Sequence, residues 1–83
     1  MGAAEGSRVE RVARALDALG LDALLVDSLF DVRYVSGFTG SSALVLVVAA
    51  SARERLGAHR FLTDFRYRTQ SGAQVGGELE RVI

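Results

Sequence analysis

Apolar residues recur along the first part of the chain at the spacing of one helix face. The series is Val9, Val12, Ala13, Leu16 and Leu19. Gly20 follows at the position of a helix stop. Ser7 and Glu10 have the spacing of a capping box, which satisfies free backbone N–H groups where a helix begins. The pattern therefore predicts a helix from Arg8 to Leu19 with one buried stripe.

Four later segments have the patterns of strands. Ala23–Val26 is apolar throughout between two aspartates, which indicates a strand covered on both faces. Ala43–Val48 is apolar and rich in β-branched residues, so we expect it inside the sheet. His59–Thr63 follows a connection too short for a crossover, which predicts antiparallel pairing with the preceding strand. Residues 78–83 alternate like a half-exposed strand that reaches the last residue, so we expect further chain downstream.

The segments between the strands complete the predicted order of elements. Asp27 or Ser28 is placed to cap a short helical segment that ends at Val35. Residues 51–57 are a polar connection with room for one helical turn, and residues 65–74 have mixed helical character. The resulting order, α-β-α-β-β-α-β, predicts an α/β fold with a mixed sheet flanked by helices. The 83 residues allow one domain.

Composition and charge exclude several classes of function. Ten basic and ten acidic residues leave no net charge to attract nucleic acid or anionic lipid. The absence of cysteine excludes disulfides, cysteine nucleophiles and thiolate metal sites. The longest apolar run, residues 43–50, is too short for a membrane span, and because residues 1–10 contain no apolar run we expect no secretory signal. We expect a cytoplasmic protein with no nucleic-acid or membrane partner.

Few residues are candidates for metal chemistry. His59 is the single histidine and has no second ligand at helix or strand spacing, so we expect it at the surface or a strand edge. Asp27 and Asp64 each follow a predicted strand, and with Glu78 they could bind a divalent ion for phosphodiester cleavage. Without a basic surface for nucleic acid, we favour a helix cap at Asp27 and a turn at Asp64.

Two stretches stand out as candidate binding segments. Residues 37–42 combine two glycines, small hydroxyls and Phe38, which the pattern leaves exposed. Such a loop can present N–H groups and hydroxyls to an anion or a peptide end, and a plain tight connection is the alternative. In residues 64–67, Arg66 beside Tyr67 can hold a carboxylate. The alternative there is an internal Asp64–Arg66 pair that fixes the turn.

Three stretches, in order and in register, resemble the amino-terminal domain of the Xaa-Pro peptidases, the family of creatinase, prolidase and aminopeptidase P. The stretches are residues 21–26, 31–41 and 61–67, and the resemblance extends over nearly all of residues 7–83. It implies a mixed sheet with helices on both sides, in a ribonuclease H-like layer architecture. Residues 1–83 would then be an incomplete form of this domain. The connection over residues 49–59 departs from the family, because it is longer and lacks proline.

The resemblance implies a two-domain enzyme whose carboxy-terminal, pita-bread-shaped domain binds two divalent metal ions, manganese, cobalt or zinc. None of those ligands can be carried over to this chain, which alone would be no enzyme. The amino-terminal domain would build a homo-oligomer, expected as a dimer, and cover the active site of a neighbouring subunit. The parent protein would act on proline-containing peptides.

Position by position, the resemblance makes four residues candidates for a loop close to the substrate: Phe38, Thr39, Gly40 and Ser41. It makes three others a structural or interface motif: Asp64, Arg66 and Tyr67. Alternative functions are a stand-alone oligomerisation or small-ligand-binding module, and the amino-terminal part of a creatinase-like amidinohydrolase.

Overall fold

The computed structural model describes residues 2–77 and 79–83, with side chains from residue 8 onward. In these ranges the α-helices are α1 (Gly2–Leu19), α2 (Leu29–Ser36), α3 (Arg53–Leu56) and α4 (Arg68–Gln74), and short 3₁₀ turns at Ala50–Ala52 and Phe65–Tyr67 precede the last two. The strands are β1 (Ala23–Val26), β2 (Ala43–Val48), β3 (His59–Thr63) and β4 (Leu79–Val82). The predicted α/β class and mixed sheet are confirmed. The β2–β3 connection, for which one helical turn was predicted, contains a 3₁₀ turn at Ala50–Ala52 followed by α3.

Helix α1 begins at Gly2, so the predicted start at Arg8 is wrong. Ser7 lies inside the helix, and the pair Ser7–Glu10 is therefore not a capping box at its start. Residues 3–5, two alanines and a glutamate, are good helix formers, which accounts for the longer helix. The predicted end is confirmed, because Gly20 leaves the helix with a positive φ of 73°.

The strands of the described ranges form one sheet in the order β1-β2-β3-β4. The β1–β2 and β2–β3 pairs are antiparallel, and β4 returns parallel to β3. The predictions for β2 and β3 are thus confirmed, with β2 inside the sheet. The expectation that β1 is covered on both faces is wrong, because β1 is an edge strand whose Leu24 and Leu25 are 41% and 57% exposed. A four-residue apolar run does not specify lateral position in a sheet.

One face of the sheet carries the core. Val45 of β2 pairs with Val26 on one side and with Phe61 on the other, and all three side chains are buried. Paired residues of neighbouring strands point to the same face, so these side chains form one layer. The helices cover it with Val9, Ala13 and Leu16 from α1, and Val32 and Val35 from α2.

The opposite face is open and mixes an apolar patch with one ion pair. We call it the open face; the strand register places on it the side chains of Leu25, Leu44, Leu46, Leu62 and Val82, together with the pair Arg60–Glu80 at one corner. Leu25, Leu44 and Val82 are more than a third exposed. A contiguous apolar surface of this kind marks an interaction site. None of the described helices has the length and apolar character needed to cross a membrane.

Helix α2 ends in a turn that directs the chain into the candidate loop. Gly37 adopts the left-handed conformation, with φ of 80°, and its N–H donates to the Arg33 carbonyl at 2.9 Å. At the other end, the N-cap position belongs to Ser28, whose side chain makes no capping hydrogen bond. Asp27 therefore precedes the cap, and its predicted capping role is wrong.

Candidate functional site

The candidate loop, residues 37–42, is anchored by Phe38. The Phe38 ring is 1% exposed and meets the rings of Phe61 and Tyr67 edge to face, with centroids 4.9 and 5.3 Å apart. The expectation of an exposed aromatic is therefore wrong. Because Phe38 is held in the core, the residues after it are fixed at the edge of the sheet where β1 and β3 end.

Tyr67 holds the loop at a second point. Its hydroxyl oxygen lies 2.5 Å from Ser41 Oγ and accepts the Ser41 backbone N–H at 3.3 Å. These hydrogen bonds with Ser41, with Arg66 nearby, lower the pKa of the Tyr67 phenol. The structure thus brings together two segments that were singled out separately in the sequence, residues 38–41 and 64–67.

Helix α4 supplies a third attachment. The Thr39 backbone N–H donates to Gln74 Oε1 at 3.0 Å, and Gln74 Nε2 donates to Thr39 Oγ1 at 3.0 Å. Gln70 Nε2 donates to the same hydroxyl at 3.1 Å. Neither glutamine was predicted as a functional residue, although their i, i+4 spacing places them on one helix face. The spacing of the two glutamines can be read from the sequence, but no local pattern predicts that they bind Thr39.

Gly40 is required because the loop passes close to two rings. A Cβ at this position would overlap the ring of Phe38 and lie 3.0 Å from Cε1 of Tyr67. The lack of room for a side chain therefore requires glycine at this position. Thr39 and Ser41 on either side are exposed, so the loop lies at the surface on a fixed base, with both hydroxyls engaged in hydrogen bonds within the chain.

The second motif is internally paired. Asp64 accepts the Arg66 backbone N–H at 3.0 Å, and its carboxylate binds the Arg66 guanidinium in two places, at 2.9 and 2.7 Å. This pairing lowers the pKa of Asp64 and raises that of Arg66. The internal pair considered in the sequence analysis is thus present, and the turn it stabilises sets the position of Tyr67. Arg66 is occupied by Asp64 and is not poised to hold another carboxylate.

Asp27 and Asp64, each of which follows a strand, line one open groove of about 550 Å³ at the edge of the sheet where β1 and β3 end. In the part of the chain that the structure describes, no group of three or more histidine, cysteine, aspartate or glutamate side chains could hold a metal ion. Glu78, the third candidate ligand, lies outside the described residues. The described residues therefore supply Asp27 and Asp64 without a third ligand for a metal centre.

His59 is buried, so its expected place at the surface or a strand edge is wrong. Its ring is 3% exposed, and Nδ1 accepts the Val48 backbone N–H at 3.0 Å. The other nitrogen, Nε2, therefore carries the proton in the neutral ring and donates to Glu10 at 2.8 Å. Arg53 donates to the same carboxylate at 3.1 Å. This cluster ties α1 to the β2–β3 connection, which makes the histidine structural.

Comparison with known proteins agrees with this fold. The creatinase/prolidase N-terminal domain family matches residues 8–83. Among curated proteins, an uncharacterized peptidase of Bacillus subtilis, YqhT, is 37% identical over 70 residues. That alignment covers 84% of this chain and 18% of YqhT, so the chain spans about a fifth of this relative.

Solved structures share the architecture. The N-terminal domain of the cytoplasmic peptidase PepQ from Mycobacterium tuberculosis is 41% identical with a TM-score of 0.79, over 94% of this chain and 55% of that one. An Xaa-Pro aminopeptidase from Streptococcus pyogenes is 30% identical with a TM-score of 0.80, over 99% of this chain and 57% of that one. The family match and the common arrangement of sheet and helices show that this chain belongs to the creatinase/prolidase N-terminal domain family.

Proposed function

We propose that this chain is the non-catalytic amino-terminal domain of a cytoplasmic Xaa-Pro metallopeptidase. The observation that carries the proposal is the family match over residues 8–83. It is supported by solved relatives described as a cytoplasmic peptidase and an Xaa-Pro aminopeptidase. Proline-containing peptides are then the substrates of the complete protein.

The role of this domain is to cover the active site of a neighbouring subunit with the loop Phe38–Ser41. Three attachments support this role, because Phe38, Tyr67 and Gln74 hold the loop in one conformation. A loop held in this way loses little conformational entropy when it meets a substrate. The motif of Asp64, Arg66 and Tyr67 fixes the base of the loop.

Oligomerisation is the second part of the proposal. The edge strand β1 and the open face leave apolar side chains in water, among them Leu25 at 57% exposure. Edge strands with apolar side chains favour pairing with another chain. A homodimer is the simplest closed assembly, since one surface patch then serves both copies.

Metal chemistry belongs elsewhere in the proposed enzyme. The described side chains include no set of metal ligands. The two divalent ions, manganese, cobalt or zinc, would be bound by the catalytic domain of the complete protein. This chain would contribute substrate contacts and assembly, with no step of the hydrolysis assigned to it.

Hydrolysis of Xaa-Pro peptides tests the proposal. The complete polypeptide that carries this domain should release the residue before proline in the presence of manganese, and the 83-residue chain should not. Creatine as a parallel substrate tests the creatinase-like alternative. Cleavage by the 83-residue chain, or hydrolysis of creatine but not of Xaa-Pro peptides by the complete polypeptide, would contradict the proposal.

A further inference from the structure

The face of α2 beside the loop exposes residues that globular proteins seldom leave in water. Phe30 is 86% exposed, and Leu29 and Tyr34 are each 48% exposed. Arg33, also exposed, lies on the same helix. Aromatic residues together with arginine are the residue types enriched where proteins bind partners. This surface is therefore a candidate for ligand contact in addition to the loop itself.

Two adjoining grooves run along this face. The first, of about 300 Å³, has α2 as one wall and the loop as the other; it is lined by Leu29, Phe30, Arg33, Phe38, Thr39, Gly40 and Ser41. The second, of about 460 Å³, continues toward Arg8 and Tyr34. Phe30, Arg33 and Thr39 line both. We call the two together the α2 groove.

The α2 groove is positively charged. Its lining includes two arginines and no aspartate or glutamate. Arg8 lies over the Tyr34 ring at 5.3 Å and donates to the Tyr34 carbonyl at 3.4 Å. Among the described side chains, no carboxylate lies within 4.0 Å of Arg33, whereas Arg53, Arg55, Arg60 and Arg66 each have one. Arg33 is thus available for an anion.

The wall of the α2 groove that the loop forms is held in one conformation before a ligand binds. Thr39 is held by Gln74 and Gln70, and Ser41 is held by Tyr67. A ligand that enters between Arg33 and Thr39 therefore meets the Arg33 guanidinium and the apolar surface of Phe30, while the Thr39 hydroxyl stays bonded to the two glutamines. A carboxylate next to an apolar ring has the matching chemistry, since arginine binds carboxylates through paired hydrogen bonds.

We propose that the α2 groove binds the carboxyl-terminal end of a proline-containing peptide, with the carboxylate on Arg33 and the pyrrolidine ring against Phe30 and Leu29. The identity of the peptide rests on the proposed function. The existence of the groove, its charge and its apolar wall are independent of the proposed function.

N-acetyl-L-proline is the probe that tests this site. NMR titration of the 83-residue chain should shift the Arg33 side-chain Nε–H signal and the Thr39 and Gly40 amides, with a dissociation constant on the order of millimolar. N-acetyl-L-prolinamide lacks the charge and should bind about tenfold more weakly. The α-amide of N-acetylglutamate offers a side-chain carboxylate without the ring. If it binds as tightly as N-acetyl-L-proline, the ligand is an acidic side chain of a protein partner and the proposal is wrong.

Variants locate the binding residue. Arg33→Gln should weaken N-acetyl-L-proline about tenfold, the ratio expected for loss of one charge-assisted hydrogen bond. Arg14→Gln, an equal charge change at an exposed position of α1, should leave it unchanged. No shift at the α2 groove, or equal weakening by both variants, would overturn the proposal. Because the titration needs no catalysis, its failure is separate from a failure of the complete protein to cleave Xaa-Pro peptides.

Discussion

At the scale of the residue, the tightest position of the candidate loop is Gly40. A methyl group there would overlap the buried Phe38 ring, which packs edge to face against Phe61 and Tyr67. We expect Gly40→Ala to lower the free energy of unfolding by about 2 kcal/mol, as overpacking in a core does. Denaturant unfolding measures this change.

Gly77→Ala is the matched control for that variant, because nothing lies within 4 Å of a Cβ at Gly77. We expect the control to unfold within about 0.5 kcal/mol of the wild-type chain. Equal stability of Gly40→Ala and Gly77→Ala would show that the loop has room, and that its conformation is not fixed by the two rings.

Single residues were the hardest features to predict from sequence. Phe38 stands among glycines and hydroxyls, so the local pattern gave no sign of burial; its partners Phe61 and Tyr67 are distant in sequence. His59 likewise reaches its partner Glu10 across 49 positions. Burial that depends on such distant partners leaves no periodic signal in the chain.

At the level of secondary-structure elements, the cluster of Glu10, Arg53 and His59 joins α1 to the β2–β3 connection and predicts how the free energy of unfolding depends on pH. The hydrogen bond from His59, opposed by burial and aided by Arg53, lowers the pKa of Glu10 below its usual value of 4.5. A carboxyl group with a lowered pKa stabilises the fold above its unfolded pKa, and this contribution is lost as the pH falls through the folded pKa.

Glu10→Gln should therefore lower the free energy of unfolding by about 1 kcal/mol at pH 7. Its difference from the wild-type chain should shrink below pH 4.5, the usual pKa of this group. Chemical denaturation at a series of pH values measures both effects. The control is Glu54→Gln, an exposed position on α3, which should follow the wild-type profile. If the two free energies of unfolding differ by the same amount at pH 7 and at pH 3, the proposed role of the Glu10 carboxylate is wrong.

Most elements were predictable because their signals are local. The periodicity of α1, the β-branched run of β2 and the short connection to β3 each predicted the correct element or pairing. The predictions were wrong where the position of an element depends on the elements beside it. Whether β1 lies at an edge depends on strand order, and the apolar run of Ala23–Val26 carries no information about that order.

At the scale of the whole molecule, the open face predicts self-association of the 83-residue chain. Leu44 of this face is 37% exposed and pairs with Leu62. We expect Leu44→Lys to shift the chain toward monomer, because a charge on an apolar contact surface opposes association. Sedimentation over a range of concentrations measures this shift.

Leu19→Lys is the control, since Leu19 is 71% exposed at the end of α1 and lies outside the sheet. We expect it to sediment like the wild-type chain. A wild-type chain that stays monomeric at every concentration, or an equal shift for the two variants, would mean that the open face is not the surface of association.

Subunit mixing of the complete polypeptide tests whether the loop Phe38–Ser41 acts on the active site of a neighbouring subunit. One inactive form carries Thr39→Glu in the loop, and the other has an intact loop and a replaced metal ligand in its catalytic domain. If the loop acts across the subunit interface, mixed dimers hold one complete site each, and an equal mixture should recover about a quarter of wild-type Xaa-Pro hydrolysis. A mixture no more active than its two components would contradict the claim that this domain completes its neighbour's active site.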